Sequence, residues 1–188
     1  MHAVLTGAAE VGVTSLPLEH RGVALHWIGE AGCVAALHAD DPLATAAAVP
    51  LSACASRTLV TMQNPYRVRQ RFDEALAHAG VAVAARIDTN TSLNALALVR
   101  AGLGIALLEP VTAYGFPVPD VAVRPLDTRI PFHFCVITPQ GRPQTPAVQT
   151  LIAQLAQAAA RLLPDFMQLD AREHDRVQQS IATVRSDS

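Results

Sequence analysis

Four residues with short hydroxyl or amide side chains, Thr89, Asn90, Thr91 and Ser92, stand directly before the apolar run "LNALALVRAGLGIALLEP". A helix beginning there leaves about four backbone N–H groups unpaired and carries roughly half a positive charge at its start. Uncharged donors at such a start can hold a carboxylate or a neutral polar group without adding a competing charge. Plain capping of the helix is the competing explanation, and one such residue suffices for it. A second junction, "VTMQNP", sets Thr61, Met62, Gln63 and Asn64 between a strand-like run and a helix-like one. A third, "TSLP", offers Thr14 and Ser15 after the first strand. Three junctions of one kind point to a wall of a small-molecule cleft, because ligands of open α/β sheets collect at the carboxyl ends of strands.

Other chemistries find less support. "RAGLG" lacks the full dinucleotide-binding glycine pattern and falls at a helix end. The seven histidines (2, 20, 26, 38, 78, 133 and 174) never cluster at metal-ligand spacing. No serine sits in a nucleophile-elbow context. Arg67, Arg69 and Arg71 read as a solvated helix face, with phosphate binding as the minor alternative. Cys33, Cys54 and Cys135 are odd in number and widely spaced, as expected of buried, reduced thiols. The sequence therefore predicts no catalytic residue, no metal and no cofactor.

The elements that must position these residues follow from periodicity and punctuation. Strands are expected at "VGVTSLP", "VALHWIG", "CVAALH", "TLVTM", "VAVAARID", "GIALLEP", "VAVRPL" and "FHFCVIT". Asn64-Pro65 announces a helix carrying Val68, Phe72, Leu76 and Ala79 at helical spacing, which Gly80 stops. The helix after Thr91 is apolar on most sides and closes at Gly102. Thr145-Pro146 repeats the cap-then-proline device before a long helix lined by Val148, Leu151, Ile152, Leu155, Ala159 and Leu162. The polar segment 165–188 reads as a frayed helix or disordered tail. Strands alternating with helices predict an α/β fold with largely parallel sheets.

Composition sets the frame. With 51% hydrophobic and 16% charged residues and a net charge of -2, the chain reads as soluble, with no basic field for nucleic acid or anionic membranes. All 14 basic residues are arginine, which together with the alanine content hints at GC-rich, bacterial coding. The N-terminus lacks the basic n-region of a secretion signal, and no apolar run approaches the ~20 residues that span a bilayer, so a cytoplasmic location is expected.

The order of the pieces resembles a known family. "LVTM…NPYRVRQRFDEALAHAGV…TNTSLNALALVRAGLGIALLEPVTA" is similar to the effector-binding domain of LysR-type transcriptional regulators, with "VRAGLGIALLEP" closest to its most recognisable stretch. "GAAEVGV" resembles that family's G-x-x-D-x-x-I segment, with Glu10 in place of Asp. "HADDPLA" and "TPQGRPQTPAVQTLIAQL" resemble its H-P-L-A turn and its last strand and helix. The resemblance implies a type 2 periplasmic-binding-protein-like fold, two α/β lobes joined by crossover strands, with a small effector held in the cleft. It places Asn90 and the "VTMQNP" junction on effector-contact regions. The expected organisation is a partial first lobe at 1–57, a second lobe at 58–122, a return strand and C-terminal helix of the first lobe at 123–164, and a polar tail at 165–188. The winged helix-turn-helix, and the strand, helix and strand that open the family's domain, have no counterpart here, so the first lobe is expected to be incomplete and the chain to bind no DNA directly. The role implied is effector sensing and dimerisation in a homo-oligomer; the alternative is a solute-binding protein of the same fold for a small organic acid or amino acid.

Overall fold

The computed structural model describes residues 1–18, 22–64, 68–177 and 179. The chain forms two compact units, Met1–Ala31 with His133–Ser188, and Gly32–Phe132.

The second unit is built on a five-stranded sheet in the order β5-β4-β6-β3-β7. Its strands are β3 (Val34–His38), β4 (Thr58–Met62), β5 (Ala85–Thr89), β6 (Ile105–Leu108) and β7 (Val121–Pro125). β4 runs parallel to β5 and β6, whereas β3 is antiparallel to both β6 and β7. The sheet is mixed where the sequence pattern predicted largely parallel pairing, because β3 enters it from the opposite direction. Period-two alternation sends Ala35, Leu37, Leu59, Ile105 and Leu107 to one face. Helix α2 (Val68–His78) packs Phe72 and Leu76 against that face. Val34, Ala36, Val60, Ala106 and Leu108 line the other face, under Ala95, Leu96 and Val99 of α3 (Ser92–Arg100) and Ala113 of α4 (Pro110–Gly115). Helix α3 buries one side only: although it is apolar on most sides, Leu93 is exposed.

The first unit carries a four-stranded sheet in the order β1-β8-β2-β9, from β1 (Gly12–Ser15), β2 (Val23–Gly32), β8 (Pro131–Pro139) and β9 (Met167–Asp170). β1 is antiparallel to β8 and β9 to β2. Val4 of the short helix α1 (His2–Leu5) packs with Ile28, Cys135, Ile137 and Val177. Trp27 stacks edge-on against Phe134 and Phe166, at 5.9 and 6.3 Å between ring centroids, and donates its indole N–H to the Ile152 carbonyl at 3.3 Å. That bond fastens α5 (Pro146–Leu162), which Thr145 caps through Val148 N–H. In α5 Val148 and Ile152 are buried, but Leu151 and Leu162 are 47% and 51% exposed, so the buried stripe is narrower than its apolar residues suggest.

Two expectations are corrected. The chain passes between units at Ala31/Gly32 and Phe132/His133, within or beside β2 and β8, and not at 57/58 and 122/123. Residues 32–57 group with the second unit because β3 is hydrogen-bonded between β6 and β7. Within the expected polar tail, Met167–Asp170 is a strand in register with Glu30–Trp27, and Val177 is buried.

Candidate functional site

β4 and β5 end side by side, with Met62 opposite Thr89 in parallel register. Gln63 N–H donates to the Thr89 carbonyl at 2.7 Å, and the Thr89 hydroxyl lies 3.3 Å from the Thr61 carbonyl and 3.1 Å from that of Thr91. These bonds lock the two strand exits together. Thr61, Met62, Gln63, Asn64, Asn90 and Thr91 are thereby gathered at one end of the second unit. The Thr61 side chain is 0% exposed, and its hydroxyl has no hydrogen-bond partner among the described residues. Such a group costs about 1–3 kcal/mol when left unsatisfied.

Thr91 is the N-cap of α3: its hydroxyl accepts from Asn94 N–H at 3.1 Å. Asn94 also donates its side-chain amide to Asn90 Oδ1 at 2.9 Å. With that oxygen engaged, the Asn90 NH2 group is left to donate elsewhere. Capping and presentation are therefore divided between neighbouring residues: Thr91 closes the helix, and Asn90 is held as a donor beside it. The Ser92 hydroxyl donates to Glu109 at 3.1 Å, and Glu109 in turn accepts Thr112 N–H at 3.0 Å as the N-cap of α4. Glu109 thus brings a carboxylate to the α3 start, which the sequence had read as lined by uncharged groups. The signal was present, since Glu109-Pro110 repeats the cap-then-proline pattern, but the apolar run before it reads as one continuous strand.

The arginine stripe does structural duty. Arg69 donates to the Met62 carbonyl at 3.0 Å, to Asp88 at 2.9 Å and to Asp73 at 3.0 Å, and Arg86 adds a second contact to Asp73 at 2.8 Å. Arg71 reaches the Pro131 carbonyl. Arg67 and the proline of the Asn64-Pro65 cap lie outside the described residues. Asn64 itself is exposed at the end of this turn.

Thr14 and Ser15 belong to the other unit, in β1, paired with Cys135 and Phe134. Among the described residues no three His, Cys, Asp or Glu side chains gather at metal-binding distance. The three cysteines are buried and none forms a disulfide; burial pushes the Cys54 thiol up to about 11 and that of Cys135 to about 12, so both are protonated and unreactive in the native state. Among the described residues no helix is long and apolar enough to cross a membrane.

The LysR substrate binding domain family matches residues 1–160. The chain belongs to that family. Among curated relatives it is 30% identical over 105 residues to the regulatory protein NocR of Agrobacterium tumefaciens (strain T37), covering 56% of this chain and 35% of NocR. It is 28% identical over 95 residues to the transcriptional activator protein LysR of Escherichia coli (strain K12), covering 50% of this chain and 30% of that protein. The matched region thus spans about a third of each relative. The regulatory domain of Synechocystis PCC6803 CcmR in complex with 2-PG superposes with a TM-score of 0.62 at 16% identity, over 84% of this chain and 76% of that one. The BenM effector binding domain with its effector benzoate gives 0.60 at 18% identity, over 85% and 73%. These likenesses bear out the periplasmic-binding-protein-like fold that the sequence resemblance implied.

Proposed function

We propose that the chain is the effector-sensing domain of a LysR-type transcriptional regulator and that it binds a small organic acid at the carboxyl ends of β4 and β5. The observation that carries this reading is the start of α3 set against the joined exits of β4 and β5, with Asn90 held by Asn94 as an outward donor. A carboxylate fits the Asn90 amide and the helix start. Two neighbours of this fold, BenM and CcmR, hold benzoate and 2-PG. The domain works without catalysis, in the cytoplasm and within a homo-oligomer. A net charge of -2 gives it no phosphate-neutralising surface, so contact with DNA falls to other parts of the regulator.

Calorimetry with a panel of aliphatic and aromatic carboxylates is the test. A charge-assisted hydrogen bond is worth about 1.5–3 kcal/mol, so Asn90→Ala should weaken the acid that binds by about tenfold or more. Unchanged affinity for a confirmed effector would remove Asn90 from the site.

A further inference from the structure

In the first unit two turns face one another at the end of β8 that lies farther along the chain from the Phe132/His133 crossing. One is the α1–β1 turn, Gly7 to Glu10; the other joins β8 to α5, Gly141 to Gln144. Between them lies a concavity of about 330 Å³, open mouth included, lined by Glu10, Thr138, Pro139, Arg142, Gln144 and Val148. Glu10 and Arg142 carry opposite charges into this one concavity, yet among the described residues neither is ion-paired, with the other or with any third group. The Arg142 guanidinium lies instead against the backbone of Gly7, where a Cβ would come within 2.6 Å of Nη1. Gly7 takes φ +76, the left-handed region that favours glycine. A bare glycine thus seats the guanidinium without consuming its N–H groups.

The floor is more ordered than the rim. Thr138 is 2% exposed, and its hydroxyl lies 2.9 Å from His26 Nε2; the Gln144 side-chain amide lies 3.2 Å from the same nitrogen. Burial holds the His26 pKa below its usual value, which favours the uncharged ring, and because the Gln144 amide nitrogen can only donate, Nε2 is the accepting nitrogen, with the Thr138 hydroxyl donating to it as well. That polarity leaves the Thr138 oxygen and Gln144 Oε1 as acceptors on the concavity wall. Three acceptors (Glu10, Thr138 and Gln144) therefore stand with one cationic donor, Arg142, and the apolar walls of Pro139 and Val148. Acceptors around a carboxylate suit an ammonium group, and a guanidinium suits a carboxylate.

We infer that this concavity is a second small-molecule site, separate from the one at the ends of β4 and β5, and that its ligand is a small aliphatic α-amino acid. The ammonium group meets Glu10, Thr138 and Gln144, the carboxylate meets Arg142, and a short side chain rests on Val148 and Pro139. Nothing in this inference depends on the organic-acid site of the second unit.

The experiment is amide NMR of the intact chain titrated with L-valine, with propionate and isobutylamine as probes carrying one charge each. L-Valine should give saturable shifts at Gly7, Thr138 and Gln144, and neither single-charge probe should do so at the same concentration. Arg142→Gln and Glu10→Gln, both at exposed positions, should each weaken valine binding by about tenfold or more, whereas Asn90→Ala should leave it unchanged. Absence of saturable shifts at these amides overturns the proposal. An equal response to propionate or isobutylamine overturns it as well, and so does a Glu10→Gln variant that binds valine as the parent does.

Discussion

The two units solve the same packing problem with different resources. The sheet of the second unit is covered on both faces by continuous clusters, with Phe72 and Leu76 of α2 on one side and Leu96 and Val99 of α3 on the other. Every contributor lies within one uninterrupted stretch of chain, Gly32–Phe132. The first unit assembles its core from both ends of the sequence: Val4 packs with Val177, and Trp27 meets Phe134, Ile152 and Phe166. Its strand β1 pairs, among the described residues, with β8 alone, and Val13 beside that edge is exposed. A core made of local contacts tolerates the loss of distant segments; one knitted from chain ends opens when either end frays. The second unit should therefore be the more protected of the two, and the chain provides reporters to test this. Trp27, the single tryptophan, belongs to the first unit; Cys54 belongs to the second and Cys135 to the first.

The largest effect is expected from Phe72→Ala. This side chain is fully buried in the α2-side cluster, and removing a core phenylalanine costs about 3–5 kcal/mol. Because both native thiols are protonated and buried, alkylation reads opening of the surrounding structure. Labelling of Cys54 should rise steeply in Phe72→Ala, with Cys135 labelling and Trp27 fluorescence little changed. Simultaneous loss of protection at both cysteines would show that the units unfold as one and would end the comparison.

A smaller effect is expected at Gly104, where the sequence offered only a fragment of a nucleotide-binding pattern. A Cβ there would stand 2.1 Å from the Thr58 carbonyl oxygen, a backbone atom that cannot swing aside. The glycine exists so that the chain entering β6 can approach β4. Gly104→Ala should cost about 1–3 kcal/mol, as overpacking does, and lower the urea midpoint reported by Cys54. Gly115→Ala is the control, since a methyl there meets nothing within 4 Å. Equal behaviour of the two variants would mean that the close approach relaxes at no cost.

The same contrast explains what the sequence could show. β4, β6, α2 and α3 announce themselves by local signals: alternation, helical spacing, a threonine cap, and a glycine at φ +65 after α2. The strand and helix ends that carry Thr61 and Asn90 were legible for that reason, as they are marked by short-range chemistry. β9 was not, because "MQLD" is a strand only by virtue of pairing with Trp27–Glu30, far away in sequence. α1 is a single turn, too short for periodicity to show. The Glu10–Arg142 concavity is also non-local, bringing together turns from opposite ends of the chain, whereas the Glu109 contact to Ser92 hides behind the apolar run of β6.

The smallest effect, and the one that isolates the first unit, is the response to acid. Burial lowers the His26 pKa below 6.5, and the ring accepts from Thr138 and Gln144 in its neutral form. In the unfolded chain the same imidazole takes up a proton near its ordinary pKa, whereas the folded one resists until the pH is lower. The unfolded state thus binds more protons in that window, so His26 contributes stability that is present above about 6.5 and is lost as the pH falls toward the folded value. Partial exposure of the ring keeps the contribution modest. Urea unfolding followed by Trp27 fluorescence, from about pH 8 to about pH 5, should show the midpoint falling as histidine titrates. His26→Gln, which retains an acceptor for both donors, should flatten that fall, and Cys54 protection in the second unit should not share the His26-dependent step. If the variant titrates as the parent does, the acid sensitivity of the first unit has another origin, and the His26 bridge is only a scaffold for the concavity above it.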